Sequence, residues 1–395
     1  MDMQSILSSM FEGVTTLTWQ QGVMYAIGLL LIYLAIKKDY EPMLLLPIGF
    51  GAILVNLPFS TVLGHDGNPG FLQILYNAGI ITELFPILIF IAVGAMIDFS
   101  QLLKSPKMLL FGAAAQFGIF FTILAALGLS AWINDPEIFS VTFKEASAIG
   151  IIGAADGPTS IFVAQKFATK FIGPITVAAY SYMALVPIIQ PPVIKALTTK
   201  KERLIRMAYT EKRISKPALI MFPIVITLVA GILAPESASL VGSLMFGNLI
   251  RECGVLEKLS KTAQNELANL VTLLLGITIG STMQAEQFVA IPTMIIMGLG
   301  LFAFIFDTAG GVLFAKFLNM VTKEKINPMV GAAGISAFPM AARIVQKMAK
   351  DEDPTNFVLM QSISANVSGQ LGSVIAGGMI LTLVPKLIEM FNLPM

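Results

Sequence analysis

Twelve apolar segments divide this chain, with little polar sequence between most of them. They fall at about residues 22–36, 43–57, 80–98, 107–133, 145–168, 172–198, 216–234, 235–250, 263–283, 291–318, 328–349 and 355–385. A spanning helix needs about 20 apolar residues, and most of these runs are long enough or nearly so. Only 12% of the residues are charged and 56% are hydrophobic, against roughly 25% charged in soluble domains. Lipid imposes one rule above the others: backbone polar groups must be satisfied within the protein, which leaves helices as the spanning element for runs this long. The pattern predicts an all-α polytopic membrane protein.

The remaining composition mainly excludes. A net charge of +1 offers no basic surface for nucleic acid. The single cysteine, Cys253, rules out an intrachain disulfide, and the single histidine, His65, rules out His-based metal clusters and triads. No transition-metal site is expected. Residues 1–20 carry Asp2 and Glu12 but no Lys or Arg, so the N-terminus lacks the basic region of a cleavable signal peptide.

Two segments contain helix breakers at matching places. The fifth is interrupted at Asp156-Gly157-Pro158, and the eleventh around Gly334-Ile335-Ser336-Ala337-Phe338-Pro339. Gly153-Ala154-Ala155 leads to Val163-Ala164-Gln165-Lys166 in one. Gly331-Ala332-Ala333 leads to Ile344-Val345-Gln346-Lys347 in the other, with three more residues between the landmarks. Fainter echoes pair Phe50-Gly51 with Phe246-Gly247, and Gly94-Ala95-Met96-Ile97 with Gly276-Ile277-Thr278-Ile279. We read an N-terminal segment 1–21, a first repeat 22–198, a linker 199–215 and a second repeat 216–395.

Charge distribution chooses the topology. If each broken segment is a re-entrant hairpin, each repeat crosses five times, and an odd number inverts the second repeat. All Lys and Arg except Lys144, Lys166, Lys170 and Lys386 then lie on one side. Twelve full crossings distribute them far more evenly. The positive-inside rule favours ten crossings and two hairpins, with the N-terminus outside and the linker 199–215 cytoplasmic. Interrupted helices at corresponding positions of two halves point to a transporter's binding site.

Asp156 is the acid at such a break. A carboxylate at membrane depth marks function by default. Thr159 and Ser160 add hydroxyls, and Gly157-Pro158 frees backbone carbonyls, a donor set suited to a hard cation such as Na⁺. The same residue can simply cap the following helix. The second hairpin offers Asn327, Gly331, Ser336 and Arg343 and has no acid. The sixth segment carries Tyr180, Tyr182 and Gln190. The twelfth carries Ser362, Ser364, Asn366, Ser368, Gln370 and Ser373. Asn366 can both coordinate and donate, whereas Ser362 and Ser373 read as hydrogen-bonded glue between helices. Asp307, in mid-segment, either supports a hairpin or belongs to an ion path.

Taken together, the string Gly153-Ala154-Ala155-Asp156-Gly157-Pro158-Thr159, the Tyr180-Ser181-Tyr182 run and the Asn327, Gly331, Ser336, Arg343 series resemble one family. It is the β subunit of the sodium-pumping biotin-dependent decarboxylases, acting in oxaloacetate, methylmalonyl-CoA and glutaconyl-CoA decarboxylase pumps. The resemblance implies a membrane subunit that decarboxylates carboxybiotin, consumes a proton and exports Na⁺. It implies Asp156, Thr159, Tyr180, Asn366, Asn327 and Ser336 as Na⁺ ligands, and Tyr182 and Arg343 as catalytic. Gly157, Pro158, Gly331, Ser364 and Ser368 would support them. The implied partners are a carboxyltransferase subunit, a biotin carrier protein or domain, and a small membrane-anchored subunit, with several β copies per complex. The biotin sits on a partner, since this chain has no Met-Lys-Met site. The implied location is the bacterial inner membrane. A stand-alone Na⁺-coupled carboxylate carrier or a Na⁺/H⁺ antiporter is the alternative.

Overall fold

The computed structural model describes residues 12–65, 67–207 and 213–392. Residues 1–11 of the N-terminal segment, and 208–212 of the linker with its Lys212, lie outside the described residues. The fold is all-α apart from a two-residue strand pair, Gly64–His65 with Asn68–Pro69.

Each of the twelve segments is helical over most of its length. Five single helices are long and apolar enough to cross a membrane: Trp19–Lys38, Pro106–Ile133, Lys216–Leu233, Ile291–Val321 and Leu359–Phe391. Two bent helix pairs raise the number to as many as seven. The chain is a multi-pass membrane protein. Leu359–Phe391 has 33 residues, which at a rise of ~1.5 Å per residue gives about 50 Å. That exceeds the ~30 Å hydrocarbon layer, so part of this helix extends beyond it.

The chain divides into two compact units, one of residues 1–85 and 269–294, the other of 86–268 and 295–395. In the first, Gly51 packs directly on the backbone at Ile277 and Gly280. Asn56 ties the same elements together, donating to Ala52 O at 2.7 Å and Met283 O at 2.8 Å and accepting from Ala285 N at 2.7 Å. In the second, Gly247 packs on Ile91 and Ala95, and Gly94 packs on Leu244. The glycine landmarks that echo one another in sequence thus make matching crossed contacts.

The second unit contains both broken segments. The first begins at a capping box, in which Thr142 accepts from the Glu145 amide and Glu145 accepts from the Thr142 amide. Its first arm runs through Phe143–Gly150 and Ile151–Ala154, then stops where Ala155 takes a left-handed conformation with φ 52°. Asp156 caps the second arm, Gly157–Phe167, with Pro158 in its first turn, where a missing N–H costs nothing. The second broken segment has a short arm, Met329–Ala332, and a longer one, Met340–Glu352. Its extra residues fall in the non-helical stretch between the arms.

Two further sharp bends lie outside the expected breaks. A helix over Phe71–Ile81 precedes the third segment and ends at Thr82-Glu83, where Glu83 has φ 64°. The sixth segment, expected as one run, bends by 69° between Thr169–Ala184 and Val186–Leu197. Pro187 accounts for this bend, because it cannot donate back to the preceding turn.

The linker is strapped to both ends of the second broken segment. Asn327 Nδ2 donates to Arg203 O at 2.8 Å and Ile205 O at 2.9 Å, and Asn356 Nδ2 reaches the same two carbonyls. Arg203 pairs with Glu352 at 2.6 Å and Arg206 with Asp353 at 2.8 Å. Asn327→Ala is expected to lower stability by about 1–3 kcal/mol, read as a fall in the thermal midpoint of the purified chain. Hydrogen bonds from Thr355 and Arg206 hold the Asp353 carboxyl down at about 2. With an unfolded value of ~3.9, this contribution is fully present above that pH and is lost as pH falls through about 2. The D353N variant is expected to show less acid destabilisation than the native chain in a pH series of melts.

Candidate cation site

Asp156 is 3% exposed. Its Oδ2 accepts from Ser373 Oγ at 2.7 Å, Thr159 Oγ1 at 2.8 Å and Gln370 Nε2 at 3.1 Å, and its Oδ1 accepts from Thr159 N at 3.3 Å. Every donor is neutral. A buried ionised carboxylate without a counter-charge is costly, and none of these donors supplies one. Asp156 also caps its helix, as the capping reading expects.

The Tyr180 ring covers Gly157 so closely that any side chain there would collide with it. The Tyr180 hydroxyl lies near enough to interact electrostatically with Asp156. It is buried without a hydrogen-bond partner among the described residues, as is Asn366 Oδ1. Asn366 Nδ2 donates to Ile335 O at 2.6 Å, in the break of the second segment.

Ser336 joins the two breaks. Its hydroxyl donates to Ala154 O at 2.7 Å and Ala155 O at 3.0 Å, carbonyls left free where the first arm stops. Gln190 Nε2 reaches across in the other direction, to Ala332 O at 2.7 Å. Gly331 lies against Gly311 with their backbones in direct contact.

The structure therefore brings Asp156, Thr159, Tyr180, Ser336 and Asn366 to the paired breaks, with Gly157 and Pro158 shaping the turn. Other sequence-derived candidates lie elsewhere. Asn327 is engaged by the linker. Tyr182 points away from Tyr180 and donates to Met297 O. Ser364 and Ser368 donate to Gln101 O at 2.6 Å and Leu109 O at 2.9 Å, on another face of the helix. Arg343 is exposed on the Met340–Glu352 helix beside Lys347 and Lys350, and its side chain makes no hydrogen bond or ion pair among the described residues.

Gln370 and Ser373, by contrast, contact the Asp156 carboxylate directly. The bond from Ser373 joins two helices, as the glue reading expects, and ends on the Asp156 carboxylate. The spacing 366, 370, 373 places all three on one helix face, a signal present in the sequence once Asn366 is taken as the reference. Ser373→Ala is expected to weaken apparent Na⁺ affinity about fivefold to tenfold, from a hydrogen bond worth ~1 kcal/mol. Ser364→Ala is expected to leave the Na⁺ dependence unchanged while lowering the thermal midpoint.

The fold is that of a multi-pass helical membrane protein with a buried carboxylate among neutral donors at its paired helix breaks. Residues 20–384 match the family described as the Na⁺-transporting oxaloacetate decarboxylase beta subunit. The chain is 49% identical over 373 residues to a glutaconyl-CoA decarboxylase subunit beta of Acidaminococcus fermentans, covering 94% of this chain and 96% of that one. It is 47% identical over 381 residues to a methylmalonyl-CoA decarboxylase subunit beta of Propionigenium modestum, covering 91% and 94%. It is 44% identical over 416 residues to an oxaloacetate decarboxylase beta chain of Salmonella typhi, covering 92% and 95%. The chain belongs to the family of β subunits of Na⁺-transporting decarboxylases.

Proposed function

We propose that the Asp156 cluster is the Na⁺ site through which this subunit couples decarboxylation of carboxybiotin to Na⁺ export. The observation that carries the reading is the buried carboxylate at the paired breaks, held by neutral donors alone. Na⁺ would draw on Asp156, Thr159, Tyr180 and Asn366, and would compete with the Ser336 hydroxyl for the Ala154 and Ala155 carbonyls. Moving Ser336 off those carbonyls links occupancy of the site to the position of the second broken segment.

The chain's own residues supply binding and orientation. Biotin, carried on a partner, supplies the ureido nitrogen that holds the carboxylate. Decarboxylation of carboxybiotin is favoured when its carboxylate leaves water. In this reading the exposed Arg343 would attract an anionic carboxybiotin, and Tyr182 would act in the accompanying coupling. Asn327 would reach the ion only in a conformer that releases the linker. Two conformers with different Na⁺ affinity are sufficient to couple the reaction to transport.

The partners in this reading are a carboxyltransferase subunit, a biotin carrier and a small membrane-anchored subunit, in a complex with more than one β copy. The location is the bacterial inner membrane, with two inverted repeats, 22–198 and 216–395, the N-terminus outside and the linker cytoplasmic. The crossed glycine contacts support that internal symmetry. The test is reconstitution. In vesicles, the assembled complex is expected to release CO₂ only with Na⁺ present and to move Na⁺ as it does so. The chain alone is expected to show no Na⁺-driven carboxylate uptake. Uptake by the chain alone would refute the assignment in favour of a carrier.

A further inference from the structure

A second acid lies on the opposite side of the first break. Asp307 sits near the middle of the 31-residue helix Ile291–Val321 and is fully buried. Neither of its carboxylate oxygens has a hydrogen-bond partner among the described residues. The backbone amides of Gly118 and Ile119 approach its carboxyl without closing a full hydrogen bond. Those amides begin the Phe117–Ile133 helix, which starts within the apolar region after a break at Ala115-Gln116.

Two glycines make room for this carboxyl. A methyl group at Gly118 would overlap Oδ1, and one at Gly153 would lie 2.9 Å from Oδ2. Gly153 is three residues before Asp156, in the turn that leads to the break. The two buried acids therefore flank one short stretch of backbone. Asp156 has a full set of donors, and Asp307 has only two backbone amides that approach it without a closed hydrogen bond.

No countercharge faces Asp307. The Phe117–Ile133 helix has no titratable side chain. The first arm of the broken segment carries Lys144 and Glu145 at its far end, with Glu145 paired to Lys170 at 2.8 Å. The other titratable group on its own helix is Lys316, paired to Glu202 at 3.2 Å. Tyr182 meets that helix at Met297, almost three turns away. Asp156, past the break, is engaged by Thr159, Gln370 and Ser373.

We propose that Asp307 is a proton-binding site, protonated in this conformation and able to ionise when the Phe117–Ile133 helix turns its first amides onto it. A bare carboxylate at this depth is costly, and a proton removes the charge with one O–H bond. A metal ion fits poorly, since it wants several oxygen ligands and the neighbouring groups are N–H donors. Ionisation would place a second negative charge against Gly153 and so bias the break that presents Asp156.

The functional place of this proton rests on the decarboxylase reading. When the bond between the ureido nitrogen and the carboxylate carbon breaks, CO₂ leaves, the bonding pair stays on nitrogen, and nitrogen takes up one proton. Asp307 would be a donor in the relay that supplies it, and would then be reprotonated from the opposite side of the membrane.

The test is infrared spectroscopy of the purified full chain in bilayers at neutral pH. The native chain is expected to show the carbonyl band of a protonated, solvent-shielded carboxylic acid. That band should shift on carboxyl ¹³C-labelling of aspartate but not of glutamate, and should be lost in D307N, a neutral mimic expected to fold. In the complex, D307N is expected to slow CO₂ release at least tenfold and to flatten its pH dependence, while Na⁺ binding by the chain stays within twofold. Absence of the band from the native chain, which needs no variant, would overturn the proposal. So would an unchanged band in folded D307N, or a lower thermal midpoint as its sole effect. The infrared result involves neither biotin nor CO₂, so it stands or fails separately from the decarboxylase assignment.

Discussion

Asp156→Asn is expected to reduce Na⁺-dependent decarboxylation by the assembled complex at least ~100-fold, the scale of removing a charged partner from a buried cluster. The substitution is close to isosteric. With the amide oxygen at the Oδ2 position, Thr159, Gln370 and Ser373 keep an acceptor, while the amide nitrogen at Oδ1 no longer accepts from the Thr159 amide. What disappears is the negative charge that makes the site a cation site. The protein is therefore expected to fold and assemble, and to lose Na⁺ activation of CO₂ release even at raised Na⁺. Protons compete for the same carboxylate, so in the native complex the Na⁺ concentration for half-activation is expected to rise as pH falls. Full activity of folded D156N would remove this residue from the ion path.

Gly331→Val is expected to have the largest effect on stability, about 3 kcal/mol, in the range of severe overpacking. The Cβ of residue 331 would run into the backbone of Gly311, and Gly311 meets Gly331 reciprocally. Neither side has a flexible side chain that can give way, so the second broken segment must move off the Ile291–Val321 helix. That displacement also carries Ser336 away from Ala154 and Ala155. The expected result is a thermal midpoint lowered by several degrees together with loss of Na⁺ dependence. Gly22→Ala is the control, since nothing lies within 4 Å of a methyl group there, and a small stabilisation is expected from helix propensity.

The long-range plan of the molecule was readable because lipid imposes it. Runs of apolar residues became helices at all twelve places, and Asp156-Gly157-Pro158 and the stretch before Pro339 broke two of them. The bend at Leu185 was missed because Pro187 sits in an apolar run without the glycine or acid that marked the other breaks. Most of the Phe71–Ile81 helix falls outside the apolar runs because Gln73 and Asn77 interrupt it, and on one helix face these two hydrogen-bond each other at 2.8 Å.

At the site, the burial of Asp156 and its contact with Thr159 followed from the local sequence, and its distant partners did not. Gln370 and Ser373 come from more than 200 positions away, and only tertiary packing decides which face of the Leu359–Phe391 helix meets the break. Ser364 and Ser368 looked equally polar and face Gln101 and Leu109 instead. Asn327 shows the same limit: its pattern marked it for the ion, and its amide holds the linker.

The most direct test of the central claim is equilibrium binding of radioactive Na⁺ to the purified chain, with no partner and no biotin. The account expects saturable binding that weakens as pH falls, a fivefold to tenfold loss of affinity in S373A, and no saturable binding in D156N. Unchanged Na⁺ binding in folded D156N would contradict it.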